Sequence, residues 1–191
     1  MFQVRIHGRG GQGAVTAAEL LSVAAFMEDR HAQAFPSFGS ERTGAPVVAF
    51  CRVDDVPIRL REPIGDPDAV IVQDPTLLHH VDVFAGLRPN GYALVNSTRS
   101  WAELGLTDLV RGLPGAHARI VPATALALEH VHRPVPNVAL LGGFAALTGL
   151  MSLSAVEKAI AARFPERVAA GNIDAARAAF HIVGDQMGAS L

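Results

Sequence analysis

Apolar and polar side chains alternate over Phe2, Gln3, Val4, Arg5 and Ile6, and the alternation stops at four glycines within six positions, Gly8-Arg9-Gly10-Gly11-Gln12-Gly13. That is the pattern of a short strand entering a tight loop. From residue 14 to 27 the breakers disappear and Glu19 is the only charged side chain, so a helix is predicted there. Val15, Leu20, Leu21, Val23, Phe26 and Met27 place apolar groups on every side of that helix. A helix apolar all round is covered all round, either between layers of its own chain or by a second protein.

Residues 31–46 fit neither period: Phe35, Phe38, Pro36, Pro46, Gly39 and Gly44 surround Ser40, Glu41, Arg42 and Thr43. They read as a docking or ligand loop. Residues 45–53 then read as a strand, Asp54-Asp55 as a turn and residues 56–61 as a second strand, forming a hairpin with Arg59 and Arg61 on one face. Past the break at 62–67 the pattern repeats. Residues 69–73 form an almost continuous apolar run of the kind buried inside a parallel sheet, residues 77–87 fit a crossover helix, and 92–95 and 119–121 are further strands. Each strand is followed by polar or turn residues: Asp74-Pro75-Thr76, Asn96-Ser97-Thr98 and Thr124. With the glycine loop, these would share the carboxyl edge where open α/β sheets bind ligands.

The last third reads as helical. Residues 137–149 are apolar, with Gly142 and Gly143 suited to close helix packing. Ser154 and Glu157 have capping-box spacing before a helix at 155–164. Phe164-Pro165 stops that helix, and Asn172 precedes a final one at 173–182. The fold class expected is therefore α/β: an open, mostly parallel sheet with helices on both faces, a hairpin insertion and a helical C-terminal part, in one domain spanning residues 1–191.

Composition narrows the function. Hydrophobic residues make up 50% and charged residues 18% of the 191 positions, against roughly 25% charged in an average domain, so part of the surface is expected to serve partners. A net charge of -2 gives no general attraction to nucleic acid. Cys51 is the only cysteine and lies in a strand pattern, which suits a buried thiol and supplies neither a disulfide, a zinc cluster nor an iron-sulfur motif. No run reaches the roughly 18 apolar residues of a membrane span, and the N-terminus lacks a signal pattern; a cytoplasmic location is expected.

Gly8, Gly10 and Gly13 satisfy the loose dinucleotide spacing, and the amides of such a loop can hold an anion. The same spacing also arises where a strand turns sharply into a closely packed helix, and both readings stand. A ribose-binding acid is missing about twenty positions on: Glu28 and Asp29 close the helix, and residues 31–35 carry none. Ala14 and Val15 occupy the places where a phosphate loop needs Lys and Ser or Thr. An autonomous NAD enzyme or ATPase is disfavoured, and a stand-alone nucleotide-binding module is the alternative. His79 and His80 are neighbours that point different ways on a helix, and the other histidines lack metal-site spacing. His7, at the end of the first strand, suits a structural role. No catalytic residue is expected within the chain.

Three stretches in order carry a resemblance: residues 6–13, Ile-His-Gly-Arg-Gly-Gly-Gln-Gly; residues 34–46, Ala-Phe-Pro-Ser-Phe-Gly-Ser-Glu-Arg-Thr-Gly-Ala-Pro; and Val72-Gln73-Asp74-Pro75-Thr76. The chain resembles, over almost its whole length, the gamma subunit of the pyruvate:ferredoxin and related 2-oxoacid:acceptor oxidoreductases. The resemblance implies membership of a complex that decarboxylates a 2-oxoacid on thiamine diphosphate with Mg2+, passes electrons through [4Fe-4S] clusters to ferredoxin or another acceptor, and transfers the acyl group to coenzyme A. Thiamine and clusters would reside in the alpha, beta and ferredoxin-like delta subunits, and this chain would bind no cofactor alone. Its own part would be assembly and the coenzyme A side of the reaction. Gly8, Arg9, Gly10, Gly11, Gln12, Gly13, Arg42 and Thr43 would then be the binding residues. Ser40-Glu41-Arg42-Thr43 stands where relatives often have Pro-Glu-Arg-Arg, one positive charge fewer. Pyruvate, a branched-chain 2-oxoacid, or an aryl one such as phenylglyoxylate or indolepyruvate would be the substrate of the complex.

Overall fold

The computed structural model describes residues 1–37 and 43–188. Six strands form one sheet in the order β2-β3-β1-β4-β5-β6. The strands are β1 (Phe2–Arg9), β2 (His31–Pro36), β3 (Pro46–Asp54), β4 (Ala69–Val72), β5 (Tyr92–Asn96) and β6 (Ala118–Val121). β1, β4, β5 and β6 run parallel, as expected of short apolar strands joined by crossovers. β3 lies antiparallel between β1 and β2.

A hairpin-like antiparallel pair is present as expected, but with β2 in place of residues 56–61. The partner of β3 is β2, from the stretch read as a loop, and residues 56–61 form no strand. In β2, Ala32 and Ala34 pack toward the main core, while Phe35 lies 5.1 Å from Phe50 of β3 on the other face. His, Ala and Gln have weak strand propensity, so the period of two was obscured. β3 is buried on both faces from Ala49 to Val53 and needs a ladder on each side, which β1 and β2 supply. Pro57 would bring one donor fewer to such a ladder.

The two faces of the sheet are covered unequally. Val4, Ile6, Cys51, Ile71, Leu94 and Val121 pack under helices α1 (Ala14–Phe26), α4 (Asn137–Thr148), α5 (Leu153–Arg163) and α6 (Glu166–Gly188). Helix α1 is thus a middle layer, with Ala17, Leu21 and Ala25 buried, although Phe26 stays 73% exposed and Val23 and Met27 are also open to solvent. On the opposite face Val70, Val72 and Val95 meet Leu77, Val83 and Leu104 from turns. The short helix α2 (Thr107–Gly112) buries no residue there.

The crossover helix expected at 77–87 is replaced by a 3-10 turn, Pro75–His79, and irregular chain. The guanidinium of buried Arg5 is satisfied by that chain, donating to the carbonyls of Ile64, Gly65, Val83 and Ala85. Two boundaries also move. Ser152 caps α5, its hydroxyl accepting from the Ala155 amide at 3.1 Å, in place of Ser154. Helix α6 runs unbroken through Asn172, whose Nδ2 donates to the Val168 carbonyl one turn back. Helix α6 approaches α4 closely there: a Cβ on Gly142 would meet the carbonyl oxygen of Ala176. Helix α3 (Ala123–Val131) completes this layer.

Candidate functional site

The carboxyl ends of the parallel strands meet where the sequence places them. Arg9, closing β1, donates from Nε and Nη2 to Thr76 Oγ1 at 3.2 and 2.8 Å, and from Nη1 to the Gly44 carbonyl at 3.1 Å. Its Nε is also 3.2 Å from Asp74 Oδ2. Gln12 Nε2 donates to the same Asp74 oxygen at 2.8 Å, and Gln12 Oε1 accepts from the Arg9 amide at 2.8 Å. Thr76 completes the knot by donating its amide and hydroxyl to Asp74 Oδ1. Farther along the edge, Asn96 donates to the Gln73 carbonyl and to Thr124 Oγ1, and accepts from the Thr124 amide at the start of α3. Residues 8–13, 74–76, 96 and 124 therefore share one crest.

The loop itself ends in a left-handed residue. Gly13 has φ of 76° and precedes α1 without a side-chain cap, leaving first-turn amides of α1 for other acceptors. A Cβ there would run into the Asn137 side chain, which donates to the Gly13 carbonyl at 3.3 Å. Asn137 was missed by sequence reading; it stands 124 residues away, and its signal, an Asn after Pro at a helix start, is a local one.

The two glycine-bearing motifs touch. Gly10 donates to the Ala45 carbonyl at 2.9 Å, Gly44 donates back to the Gly10 carbonyl at 3.1 Å, and Gly10 bridges Thr43. Gly11 and Thr43 are exposed at this junction, while Gly10, Gln12 and Gly13 are half-buried. Arg42 and Phe38 lie outside the described residues. Arg9 and Gln12, named as binding residues from the sequence, also brace the loop, and the amides of Gly10 and Gln12 are bonded to the Ala45 and Arg9 carbonyls.

Electrostatics fit a braced scaffold. Burial opposes ionisation of Asp74, but hydrogen bonds from Thr76 and Gln12 and the charge of Arg9 outweigh it and hold the carboxyl below its ordinary range. Burial, with the adjacent Arg5 charge, pushes His7 down to about 4. The neutral imidazole Nε2 accepts from Arg5 Nε at 3.0 Å, so His7 is a structural partner of that cation. Cys51 is fully buried and burial pushes its thiol up to about 12, in keeping with the structural role read from its strand context. Among the described residues no group of three or more His, Cys, Asp or Glu is arranged to hold a metal, and no helix is long and apolar enough to cross a membrane.

Comparison with known proteins accounts for the whole arrangement. The model of the pyruvate ferredoxin/flavodoxin oxidoreductase family matches residues 3–182. The pyruvate/ketoisovalerate oxidoreductases common subunit gamma of Thermococcus kodakarensis is 48% identical over 181 residues, covering 95% of this chain and 96% of that one. Pyruvate synthase subunit PorC of Methanothermobacter marburgensis is 44% identical over 180 residues, covering 94% and 96%. The crystal structure of pyruvate oxidoreductase subunit PORC from Thermotoga maritima superposes with a TM-score of 0.78 at 36% identity, covering 94% and 95%. With the family model matching residues 3–182 and relatives covered nearly end to end, the chain belongs to the pyruvate ferredoxin/flavodoxin oxidoreductase family, in its gamma-subunit branch.

Proposed function

We propose that this gamma subunit serves the coenzyme A side of a 2-oxoacid:acceptor oxidoreductase complex and helps to assemble it. The observation that carries the reading is the Gly10–Thr43 bridge, which sets the glycine loop against the segment bearing Arg42. The Gly11 and Gly13 amides and the Arg42 guanidinium are donors suited to phosphate oxygens. The knot of Arg9, Gln12, Asp74 and Thr76 keeps that loop in one shape, so little ordering is needed when an anion arrives.

The chain does not fit the oxidative part of the reaction. A cluster usually needs four thiolates, and the single Cys51 is buried and strongly protonated. Thiamine diphosphate, Mg2+ and the clusters are accordingly assigned to alpha, beta and ferredoxin-like delta subunits, with ferredoxin or another carrier as acceptor. Relatives named for both pyruvate and ketoisovalerate oxidoreductases as a common subunit support placing the choice of 2-oxoacid outside this chain. Exposed Phe26, Val23 and Met27 at the end of α1 offer an apolar patch to a partner subunit.

Kinetics on the assembled complex test the coenzyme A role. Arg42→Ala is expected to raise the KM for coenzyme A by about tenfold to a hundredfold, the loss of a charged hydrogen bond, while the decarboxylation half-reaction stays nearly intact. An unchanged KM together with weaker subunit association would move Arg42 to the subunit interface and reject the ligand role.

A further inference from the structure

Residues 56–61, Val-Pro-Ile-Arg-Leu-Arg, alternate in the manner of a half-buried strand, yet no strand of this chain pairs with them. A local pattern that the chain's own fold leaves unused is expected at functional positions.

The segment is held at both ends and free in the middle. Before it, Asp55 Oδ1 accepts from Arg30 Nε at 3.1 Å, and the N-terminal ammonium lies 3.3 Å from Asp54 Oδ2. After it, the Glu62 carbonyl accepts from Nη2 of buried Arg52 at 2.6 Å, and Ile64 is buried. Between these anchors residues 57–61 run without a turn or bend, and their backbone N–H and C=O groups make no hydrogen bond to any described residue. A segment fixed in place with its ladder groups open is already ordered for pairing, so little further freedom is lost when a partner strand arrives.

Side chains add selectivity. Val56 is 61% and Leu60 42% exposed, and Ile58 is half-buried. Arg59 and Arg61 are exposed and neither makes an ion pair among the described residues, in contrast to Arg30, Arg88 and Arg177. The adjacent Glu62 acts instead on Arg52. Successive side chains of an extended chain point to opposite faces, so the two arginines share one face. A second copy of this chain is a poor occupant: antiparallel pairing centred on Arg59 or Leu60 sets arginine against arginine, and centring on Ile58 uses Pro57, which has no N–H to give. The Arg30–Asp55 bond also brings the start of the segment to the end of α1, where Phe26 and Met27 are exposed, so the strand and the apolar patch border one surface.

We propose that residues 57–61 are a docking strand: an extended, acidic segment of a partner subunit pairs alongside, its backbone on Ile58 to Arg61 and its carboxylates on Arg59 and Arg61. This deepens the assembly role proposed above and rests on it.

Hydrogen exchange on the assembled complex, with the isolated chain as reference, tests the strand. Amides of residues 58–61 are expected to exchange freely in the isolated chain and about tenfold or more slowly in the complex. R59E/R61E should weaken association with the partner subunits by about tenfold or more, and R111E, at an exposed arginine on α2, should leave it unchanged. Leu60→Pro and Arg61→Pro remove N–H groups that point to opposite sides of an extended chain, so one of them should weaken association beyond Leu60→Ala or Arg61→Ala. Neither N–H is bonded within the chain, so melts of the isolated variants should match wild type. The proposal is overturned if R59E/R61E assembles as wild type does, if R111E weakens assembly equally, or if both proline variants assemble like their alanine counterparts. Exchange at 58–61 that slows in the isolated chain as its concentration rises would give the segment to a second copy and overturn it too. A complex that forms without slowing exchange at 58–61 overturns this proposal alone, whereas failure to form any complex with alpha and beta subunits overturns the assembly role and this proposal with it.

Discussion

Replacing Gly142 and Gly143 by alanine, one at a time, separates helix propensity from packing. Both lie inside α4, so each substitution brings the same propensity gain of about 1 kcal/mol. At Gly143 the new methyl would lie 3.3 Å from Val121 Cγ2, 3.4 Å from Val183 Cγ2 and 3.7 Å from Leu94 Cδ2, all side-chain atoms with room to adjust slightly. At Gly142 it would meet backbone of α6, the Ala176 carbonyl and, at 2.7 Å, the Ala176 Cα. Backbone cannot turn aside, so α4 and α6 must separate by roughly 1 Å, and a gap of that size forfeits about a quarter to a half of each contact along the interface. With overpacking at the upper end of its usual range, about 3 kcal/mol, set against the propensity gain, Gly142→Ala should cost about 2 kcal/mol. Gly143→Ala should be neutral or slightly stabilising. Urea denaturation followed by circular dichroism would read a gap of about 2 to 3 kcal/mol between the variants. Equal stability of the two would refute the claim that backbone contact between α4 and α6 selects glycine at position 142.

His7 supplies a pH test. Its folded value of about 4 lies below the ordinary 6.5, so its contribution is complete above 6.5 and is lost as pH falls toward 4, because the unfolded chain takes up the proton first. Between pH 7 and 5 this amounts to about 2 kcal/mol; His7→Gln, which keeps an acceptor for Arg5, should flatten that part of the stability profile, and an unchanged slope would count against it. Asp74→Ala removes the shared acceptor of Arg9, Gln12 and Thr76, so amide exchange at residues 9–13 should rise well beyond that at β4. The lowered Asp74 value means that its bracing is present above the ordinary carboxyl range and is lost only as pH falls through the lower folded value. Phe26→Glu, at a site 73% exposed, should leave the melting of the isolated chain unchanged and reduce co-purification with partner subunits; full recovery of the complex would remove α1 from the interface.

What the sequence determined by itself was local. Strands β1, β4, β5 and β6, the glycine loop and helices α1 and α4 each announce themselves within a dozen or so residues, through a change of hydrophobic period or a loss of breakers. Their polar ends could be placed on one edge because parallel strands share a direction, and that crest stands. The three motifs were legible for the same reason, being contiguous in the chain.

Tertiary structure decided what depends on distant partners. β2 is a strand because β3 needs a second ladder, and no residue of 31–36 says so alone. The turns at 80–88 stand where a helix was expected, and they present the carbonyls of Val83 and Ala85 to Arg5, some 80 positions away. Helix α6 overrides Gly171 and Asn172 because Ala175, Ala176 and Ala179 are buried in the helical layer. That Asp74 and Thr76 hold Arg9 depends on residues more than sixty positions away in the chain.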